Sequence, residues 1–138
     1  MRVSQRLDYT VRGLVALAAE PAGTPVVAGE LADRLGLPRR FLEQQFTAIA
    51  KRGILICHRG ASGGCALARS AEEVTVGDIV RAIQGQVLDV PNVTGVASSE
   101  MWAALARELS AVADGITLAD LARRQAEIDQ DLSPMYFI

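Results

Sequence analysis

The sequence predicts a mainly α-helical fold with one small β-hairpin, arranged as a winged helix-turn-helix domain followed by a long dimerisation helix. Two short helical patterns flank a tight turn at Gly36, which is the signature of a helix-turn-helix. A strand, a glycine-rich turn and a second strand follow at residues 54–69, and a hairpin in this position is the wing. Half of the 138 residues are apolar, which is enough to build a core.

The first two predicted helices lie before the turn. Apolar residues at helical spacing predict a helix over residues 3–20, with Ser4 as its N-cap. A second helix is predicted over residues 28–35, and both of its leucines, including Leu35, are expected to face the core. Gly36 is expected to end this helix in the left-handed conformation.

The third predicted helix, residues 38–52, has the features of a helix that reads DNA. Leu42, Phe46 and Ile49 recur at helical spacing and are expected to face the core. Arginine, glutamine and threonine on the outer face suit insertion into the major groove, although ordinary surface helices also carry charges. The residues assigned to the outer face are Arg40, Glu43, Gln44, Thr47 and Lys51.

The predicted wing consists of strand-like residues 54–58 and 65–69 around the glycine-rich turn 59–64. Glycines let the backbone of the tip approach a phosphate or enter the minor groove, and an arginine adds positive charge. A nucleotide-binding loop is disfavoured because no Lys-Ser/Thr signature and helix follow. The residues of this tip that are candidates for DNA contact are Arg59, Gly60, Ser62 and Gly63.

A fourth helix is predicted to begin at Thr75, with Asp78 in the position of a capping box, and to end at Gly85. We place a boundary there. Residues 1–85 form the winged helix-turn-helix domain, and residues 86–138 form a loop and a helical dimerisation or sensor region.

A longer helix is predicted from Ser98 or Ser99 to about Ala113, after a loop. It has few folded neighbours in its own half of the chain, so pairing with a second copy would bury its apolar face, and packing on its own domain is the alternative. Trp102 is expected to anchor a dimer core rather than stack on a ligand. The apolar residues assigned to dimerisation are Met101, Trp102, Leu105, Leu109 and Val112.

A last helix is predicted from Leu118 to about Asp129, with Thr117 as its cap and Leu118, Leu121 and Ile128 facing inward. The tail, residues 133–138, is apolar and is expected to dock on this subunit or on a partner.

The two halves of the chain carry opposite charge. Residues 1–69 contain ten basic and five acidic side chains, whereas residues 70–138 contain four basic and eleven acidic ones. A basic half joined to an acidic half is typical of a polyanion-binding module beside a module that does not bind the polyanion, and chance segregation is the alternative.

The sequence predicts a cytoplasmic protein, because it has neither an N-terminal apolar segment nor a run long enough to cross a bilayer. Cys57 and Cys65 are then expected to be reduced thiols unless something oxidises them. They are either two small buried apolar residues or a cross-strand pair whose oxidation alters the wing. An enzyme is disfavoured because the only histidine, His58, lies in the wing and no nucleophile–base pair is visible.

Five segments resemble the Rrf-type regulators, the BadM-type family that includes IscR, NsrR and CymR. The similarity covers about residues 1–85 well and the helix around Trp102 more loosely. The segments that carry it are Asp8–Leu14, Glu30–Leu37, Phe41–Gln44, Gly53–Leu55 and Arg59–Ala68.

The resemblance implies a homodimeric winged-helix transcription factor. It implies that Arg39, Arg40, Phe41, Glu43 and Gln44 read the major groove. It also implies that residues 59–64 lie in the minor groove and that the helix around Trp102 joins the dimer.

Many members of this family sense iron, nitric oxide or redox state through an iron–sulfur cluster, usually held by three cysteines before the dimer helix. Here residues 86–99 contain no cysteine, and Val96 and Ser99 stand where ligands would. No cofactor is therefore predicted, whether the ligands are naturally absent or have been replaced. Asp8, where some members use an acidic ligand, is a weak metal candidate.

The function expected from the sequence is that of a dimeric, sequence-specific DNA-binding regulator that acts as a repressor. It would read a near-palindromic operator with helix 38–52 and wing 59–64, in response to an unidentified small-molecule or redox signal. A winged-helix module that binds protein without reading DNA is the alternative.

Overall fold

The structure is a computed structural model that describes residues 2–60 and 63–136, with side chains as far as residue 132. It confirms the mainly helical fold with one two-stranded antiparallel hairpin. The elements of the described residues are α1 Gln5–Ala18, α2 Ala28–Leu35, α3 Arg39–Ala50, β1 Leu55–His58, β2 Gly64–Leu67, α4 Val76–Gln84, α5 Ala97–Asp114 and α6 Leu118–Tyr136.

The core lies where α1, α2 and α3 meet. Leu14, Leu31, Leu42 and Phe46 are almost wholly buried there, as their helical spacing predicts. Gly13 marks the close crossing of α1 and α3, since a Cβ atom at this position would lie 2.8 Å from Cδ1 of Leu42. The absence of a side chain lets α3 lie tightly against α1, and this contact fixes which face of α3 remains outside.

Three local signals in the sequence are confirmed. The hydroxyl of Ser4 accepts a hydrogen bond from the backbone N–H of Leu7 at the start of α1. Gly36 ends α2 with a φ of 67°, in the left-handed region. Thr75 and Asp78 form the complete capping box of α4. These caps depend on neighbours in the chain, which is why a local pattern can predict them.

Two expectations about side-chain placement are wrong. Leu35 is 37% exposed rather than inward, because α2 ends there and only Leu31 reaches the core. Neither Ser98 nor Ser99 caps α5, which begins at Ala97 after Val96. The hydroxyl of Ser99 instead accepts a hydrogen bond from the backbone N–H of Val93, 3.1 Å away, and so fastens the preceding loop to the helix.

The last helix returns to the winged-helix core. The backbone N–H of Leu118 donates to the carbonyl of Val74, and Leu118 itself is fully buried in the core cluster. Thr117 caps α6 as predicted, in a reciprocal pair of bonds with Asp120. From there α6 packs along α1 and continues beyond the predicted end to Tyr136. The docking of the tail lies outside the described side chains.

The division of the chain into two regions at residue 85 stays a prediction.

None of the helices in the described ranges is long and apolar enough to span a lipid bilayer.

Candidate nucleic-acid interface

The outer face of α3 is solvent-exposed along its length. Burial of Leu42, Phe46 and Ile49 turns the opposite side of the helix outward. The hydroxyl of Thr47 donates to the carbonyl of Glu43, 2.9 Å away, so that its methyl group and the neighbouring polar side chains face solvent. The exposed polar residues are those expected from the sequence, namely Arg40, Glu43, Gln44, Thr47 and Lys51.

Two residues expected to read bases are engaged within the protein. Nη1 of Arg39 lies 2.7 Å from Oδ2 of Asp33, so that this arginine links α3 to α2. The ring of Phe41 is half-buried and packs edge-on against Tyr9, with the ring centroids 5.8 Å apart. These contacts hold the first turn of α3 against both preceding helices.

A third contact anchors α3, and the sequence analysis missed it. Nε of Arg6 donates to Oε1 of Gln45, 2.8 Å away, between α1 and α3. Gly13 was also missed, although a single glycine inside a helical pattern is a signal of close packing. The Arg6–Gln45 hydrogen bond and the close packing at Gly13 together fix the orientation of α3, and with it the direction in which its outer face points.

The wing is a hairpin whose tip depends on glycine. Gly60 has a φ of 108° and Gly64 a φ of 131°, which favour residues without a Cβ atom. The N–H of Gly63 donates to the carbonyl of Gly60, 2.9 Å away, and closes the tip. Arg59 and Gly60 are exposed, whereas Ser62 lies outside the described residues.

Helix α3 and the wing line one cleft. Its walls include Glu43, Thr47 and Lys51 from α3 and its C-terminal end, and His58 and Arg59 from the hairpin. The structure thus brings Glu43, Thr47 and Lys51 of the predicted major-groove set into one cleft with Arg59, Gly60 and Gly63 of the predicted wing set.

The distribution of ion pairs distinguishes this surface from the rest of the basic half. Four arginines of that half pair with acids within the protein, as Arg12–Asp8, Arg34–Glu20, Arg39–Asp33 and Arg69–Asp78. Among the side chains that the structure describes, the other cations of that half have no such partner, namely Arg2, Arg6, Arg40, Lys51, Arg52 and Arg59, although Arg6 donates to Gln45. The last four of these lie on α3, at its C-terminal end and in the wing. Positive charge that is not neutralised internally is therefore concentrated on α3, its C-terminal end and the wing.

The two cysteines are bonded to each other. Cys57 on β1 lies directly opposite Cys65 on β2, with their Cα atoms 4.1 Å apart, and a disulfide joins them. Both the expectation of free thiols and that of two small buried residues are therefore wrong. Cys65 is buried, but Cys57 is exposed, because only Leu55 of β1 reaches the core.

Helix α5 presents an apolar face to solvent. Met101, Trp102, Leu105 and Val112 are between 40% and 62% exposed. Three of them, Trp102, Leu105 and Val112, line an apolar groove together with half-buried Leu109 and the preceding loop residues Leu88, Val90 and Pro91.

On its other side α5 is fastened to α4. Nη1 and Nη2 of Arg81 each donate to a carboxylate oxygen of Asp114 at 2.8 Å. The hydrogen bond from Arg81 lowers the pKa of Asp114, and the same bond raises the pKa of Arg81.

The residues present do not fit an iron–sulfur cluster. Residues 86–99 lack cysteine, and both cysteines of the chain are joined in the wing. The hydroxyl of Ser99, at one expected ligand position, is used to hold the loop. Asp8, the candidate in α1, pairs with Arg12 at 2.9 Å. Over the described ranges, no three His, Cys, Asp or Glu side chains are grouped as metal ligands.

Comparison with known proteins decides the family. The Rrf2 family, described as iron-dependent transcriptional regulators, matches residues 3–124. The chain belongs to the Rrf2 family. It is 33% identical over 131 residues to a helix-turn-helix-type transcriptional regulator of Mycobacterium tuberculosis, an alignment that covers 88% of this chain and 81% of that protein.

Two solved structures of Rrf2-type regulators superpose on the fold. CymR of B. subtilis, the global cysteine regulator, has a TM-score of 0.79 at 27% identity, covering 90% of this chain and 98% of that chain. IscR of T. potens has a TM-score of 0.77 at 32% identity, covering 93% of this chain and 90% of that chain. This Rrf2 protein is thus a DNA-binding transcriptional regulator with a winged helix-turn-helix fold.

Proposed function

We propose that this Rrf2 protein is a homodimeric repressor that binds a near-palindromic operator in the cytoplasm. The outer face of α3 reads base edges in the major groove, and the wing follows the minor groove. The observation that carries this proposal is that four cations without an acidic partner lie on α3, at its C-terminal end and in the wing, around a cleft that α3 and the wing share. Phosphates are the complementary charges for such a surface.

Within this surface the residues have different roles. Arg40 and Gln44 lie one turn apart on the exposed face and can each pair with base edges, Arg with guanine and Gln with adenine, while Glu43 can accept from cytosine. Thr47 offers a methyl group and a hydroxyl to the same groove. Lys51 and Arg59 bind phosphates, with the backbone of Gly60 and Gly63 close to the strand.

Arg39 and Phe41 act in our proposal as residues that position α3. Their contacts with Asp33 and Tyr9 place the first turn of the helix. Ser62 remains a proposed wing contact from its place in the sequence.

The apolar face of α5 is the surface that we propose contacts the second subunit. An exposed apolar surface of this kind marks an interaction site. A second copy related by a two-fold axis would cover Met101, Trp102, Leu105, Leu109 and Val112 with the same residues. The same axis would relate the two copies of α3 to each other, and a palindromic operator has the same two-fold symmetry.

Arg40→Ala tests the role of α3. A duplex selected from a randomised pool by the wild-type protein serves as the probe, and fluorescence anisotropy measures the affinity. We expect a loss of about 30-fold or more, because each of the two subunits loses a base contact of about 1–3 kcal/mol. Arg124→Ala, which removes an exposed arginine from α6, is the matched control and should bind like wild type. Equal binding by Arg40→Ala would remove α3 from DNA recognition.

Leu105→Asp tests the dimer. A charge in the centre of the apolar face should give a monomer in analytical ultracentrifugation, with helix content unchanged, because this side chain is half exposed in the single chain. Val3→Asp, at an exposed apolar residue outside that face, should remain dimeric. A Leu105→Asp protein that is still dimeric would place the interface elsewhere.

A further inference from the structure

The bond between Cys57 and Cys65 occupies a special position in the hairpin. The N–H and carbonyl of Cys65 both bond to Val26, at 2.8 and 2.9 Å, on the side away from β1. Cys57 and Cys65 are therefore a pair without hydrogen bonds between their backbones. In antiparallel strands this is the pairing that brings opposite side chains closest. The register thus places the two sulfurs within bonding reach and holds them there.

The two cysteines differ in access to solvent. Cys65 is only 7% exposed, beneath the strand and against the core, whereas Cys57 is exposed. A small thiol is therefore expected to attack the disulfide at Cys57, the exposed residue, rather than at Cys65. Exposed disulfides of this type exchange more readily than buried structural ones.

The bond also restrains the part of the wing that the core does not hold. Strand β2 is fastened to Val26, but in β1 only Leu55 is buried, and Ile56, Cys57 and His58 are exposed. A hairpin of two four-residue strands is marginal without further support. The disulfide closes the segment that contains Arg59 and the glycine tip, so it determines how firmly that tip is held beside α3.

We propose that Cys57 and Cys65 form a reversible thiol–disulfide switch that sets the DNA affinity of this regulator, the disulfide form being the tighter binder. This inference rests on the proposed role of the wing in binding DNA. In the bonded form the described wing residues Arg59, Gly60 and Gly63 lie beside Lys51 and Thr47 in the shared cleft, where they would meet DNA. The dithiol wing must be ordered when DNA binds, which lowers affinity.

The chemistry requires a low-molecular-weight thiol and its disulfide as co-reactants. In reduction, a small thiolate attacks Sγ of Cys57, the bond between the two cysteines breaks, and Cys65 leaves as a thiolate that takes up a proton. A second small thiolate then attacks the small-molecule sulfur of the mixed disulfide and releases the thiolate of Cys57, which is protonated in turn. One protein disulfide and two small thiols thus give two protein thiols and one small disulfide, with two electrons transferred to the protein. Oxidation is the reverse.

The test compares the two redox states of the full-length protein. Wild type and Cys57→Ser are equilibrated in reduced or oxidised glutathione, and their free thiols are counted by alkylation and mass spectrometry. DNA affinity is measured by anisotropy on a duplex selected from a randomised pool with wild-type protein in both states. We expect wild type to bind roughly three- to tenfold more weakly when reduced. Cys57→Ser should bind equally in both buffers, at the level of reduced wild type.

Four outcomes would overturn the switch, three of them with the wild-type protein. Wild type could bind equally in both states, it could bind more tightly when reduced, or glutathione could leave its disulfide intact. A Cys57→Ser protein whose affinity follows the buffer would also overturn it. The wild-type comparison does not depend on the folding of any variant. Failure of the proposed interface is distinguishable, because Arg40→Ala would then bind the same duplex as well as wild type does.

Discussion

Helices α3 and α5 both have an exposed face, but the two faces are of opposite kinds. Helix α3 buries its large apolar side chains almost completely and exposes polar and cationic ones. Helix α5 buries only Ser99 and Ala113 and exposes Met101, Trp102, Leu105 and Val112. The apolar side of α3 is therefore covered within one chain, whereas the apolar side of α5 stays exposed. In our proposal a second copy of the chain covers it. The first helix suits a polyanion and the second suits an apolar partner.

The largest effects are expected when one aromatic side chain on each of the two helices is truncated to alanine. Phe46→Ala removes a fully buried ring from α3 and should lower the free energy of unfolding by about 3–5 kcal/mol. Trp102→Ala removes a half-exposed ring whose proposed contacts lie between subunits. Its effect should therefore grow at protein concentrations where the dimer forms.

Urea unfolding at two widely separated protein concentrations measures both. The contrast between the helices fails if the loss in Phe46→Ala depends on concentration in the same way as that in Trp102→Ala.

Gly13→Ala tests how tightly α3 is held. The added Cβ atom would meet Leu42 and Phe46 in a packed core, at a cost of about 1–3 kcal/mol in unfolding free energy. The intrinsic helix preference of alanine offsets up to about 1 kcal/mol of this. Thermal unfolding should show a net loss. Gly115→Ala, at the end of α5, meets only ordinary contacts at 3.5 Å and should leave stability unchanged. Equal stability of the two variants would contradict the close crossing.

Lys51→Ala and Arg107→Ala compare single cations at the end of α3 and on α5. If only the former binds a phosphate, Lys51→Ala should reduce the slope of log affinity against log salt by about 2, one phosphate contact in each subunit, whereas Arg107→Ala should leave it unchanged. Anisotropy titrations at several salt concentrations give both slopes. A shallower slope in Arg107→Ala would extend the DNA surface onto α5.

The smallest effect concerns the contact that fastens α5 to α4. Arg81 lowers the pKa of Asp114 in the folded protein, so the pair stabilises the fold above the unfolded pKa and loses this contribution as the pH falls through the folded one. Asp114→Asn should therefore have a lower Tm than wild type at neutral pH. The difference should begin to shrink below about pH 3.9, the pKa of an unperturbed aspartate, and vanish only below the lowered pKa of Asp114 in the folded protein. Circular dichroism melts across this range measure it, and a constant difference would exclude the ion pair as its cause.

Local patterns were sufficient for most of the helices and for the exposed face of α3. Apolar spacing fixed Leu42 and Phe46 as buried, and a helix that buries one side exposes the other. Gly36 and the Thr75–Asp78 box were predictable because the partners lie within a few residues of each other. The same approach failed at Ser99, whose hydroxyl bonds backwards to the loop.

The sequence could not predict the position of side chains that can either face solvent or contact a neighbouring element. Arg39 and Arg40 are adjacent and chemically identical, yet only Arg39 lies within reach of Asp33. Phe41 finds Tyr9 across a helix crossing that Gly13 permits. Such choices depend on distances between elements, which neither composition nor spacing contains.

The sequence by itself determined the element order, the caps at Ser4, Gly36, Thr75 and Thr117, the charge difference between the halves and the lack of cysteine before α5. These properties follow from residue type and short-range spacing alone. The tertiary structure decided which cations are neutralised, which apolar residues of α5 stay exposed, and that Cys57 and Cys65 face each other. Each of these requires the packing of residues far apart in the chain, or the register of two strands, before its energy can be assigned.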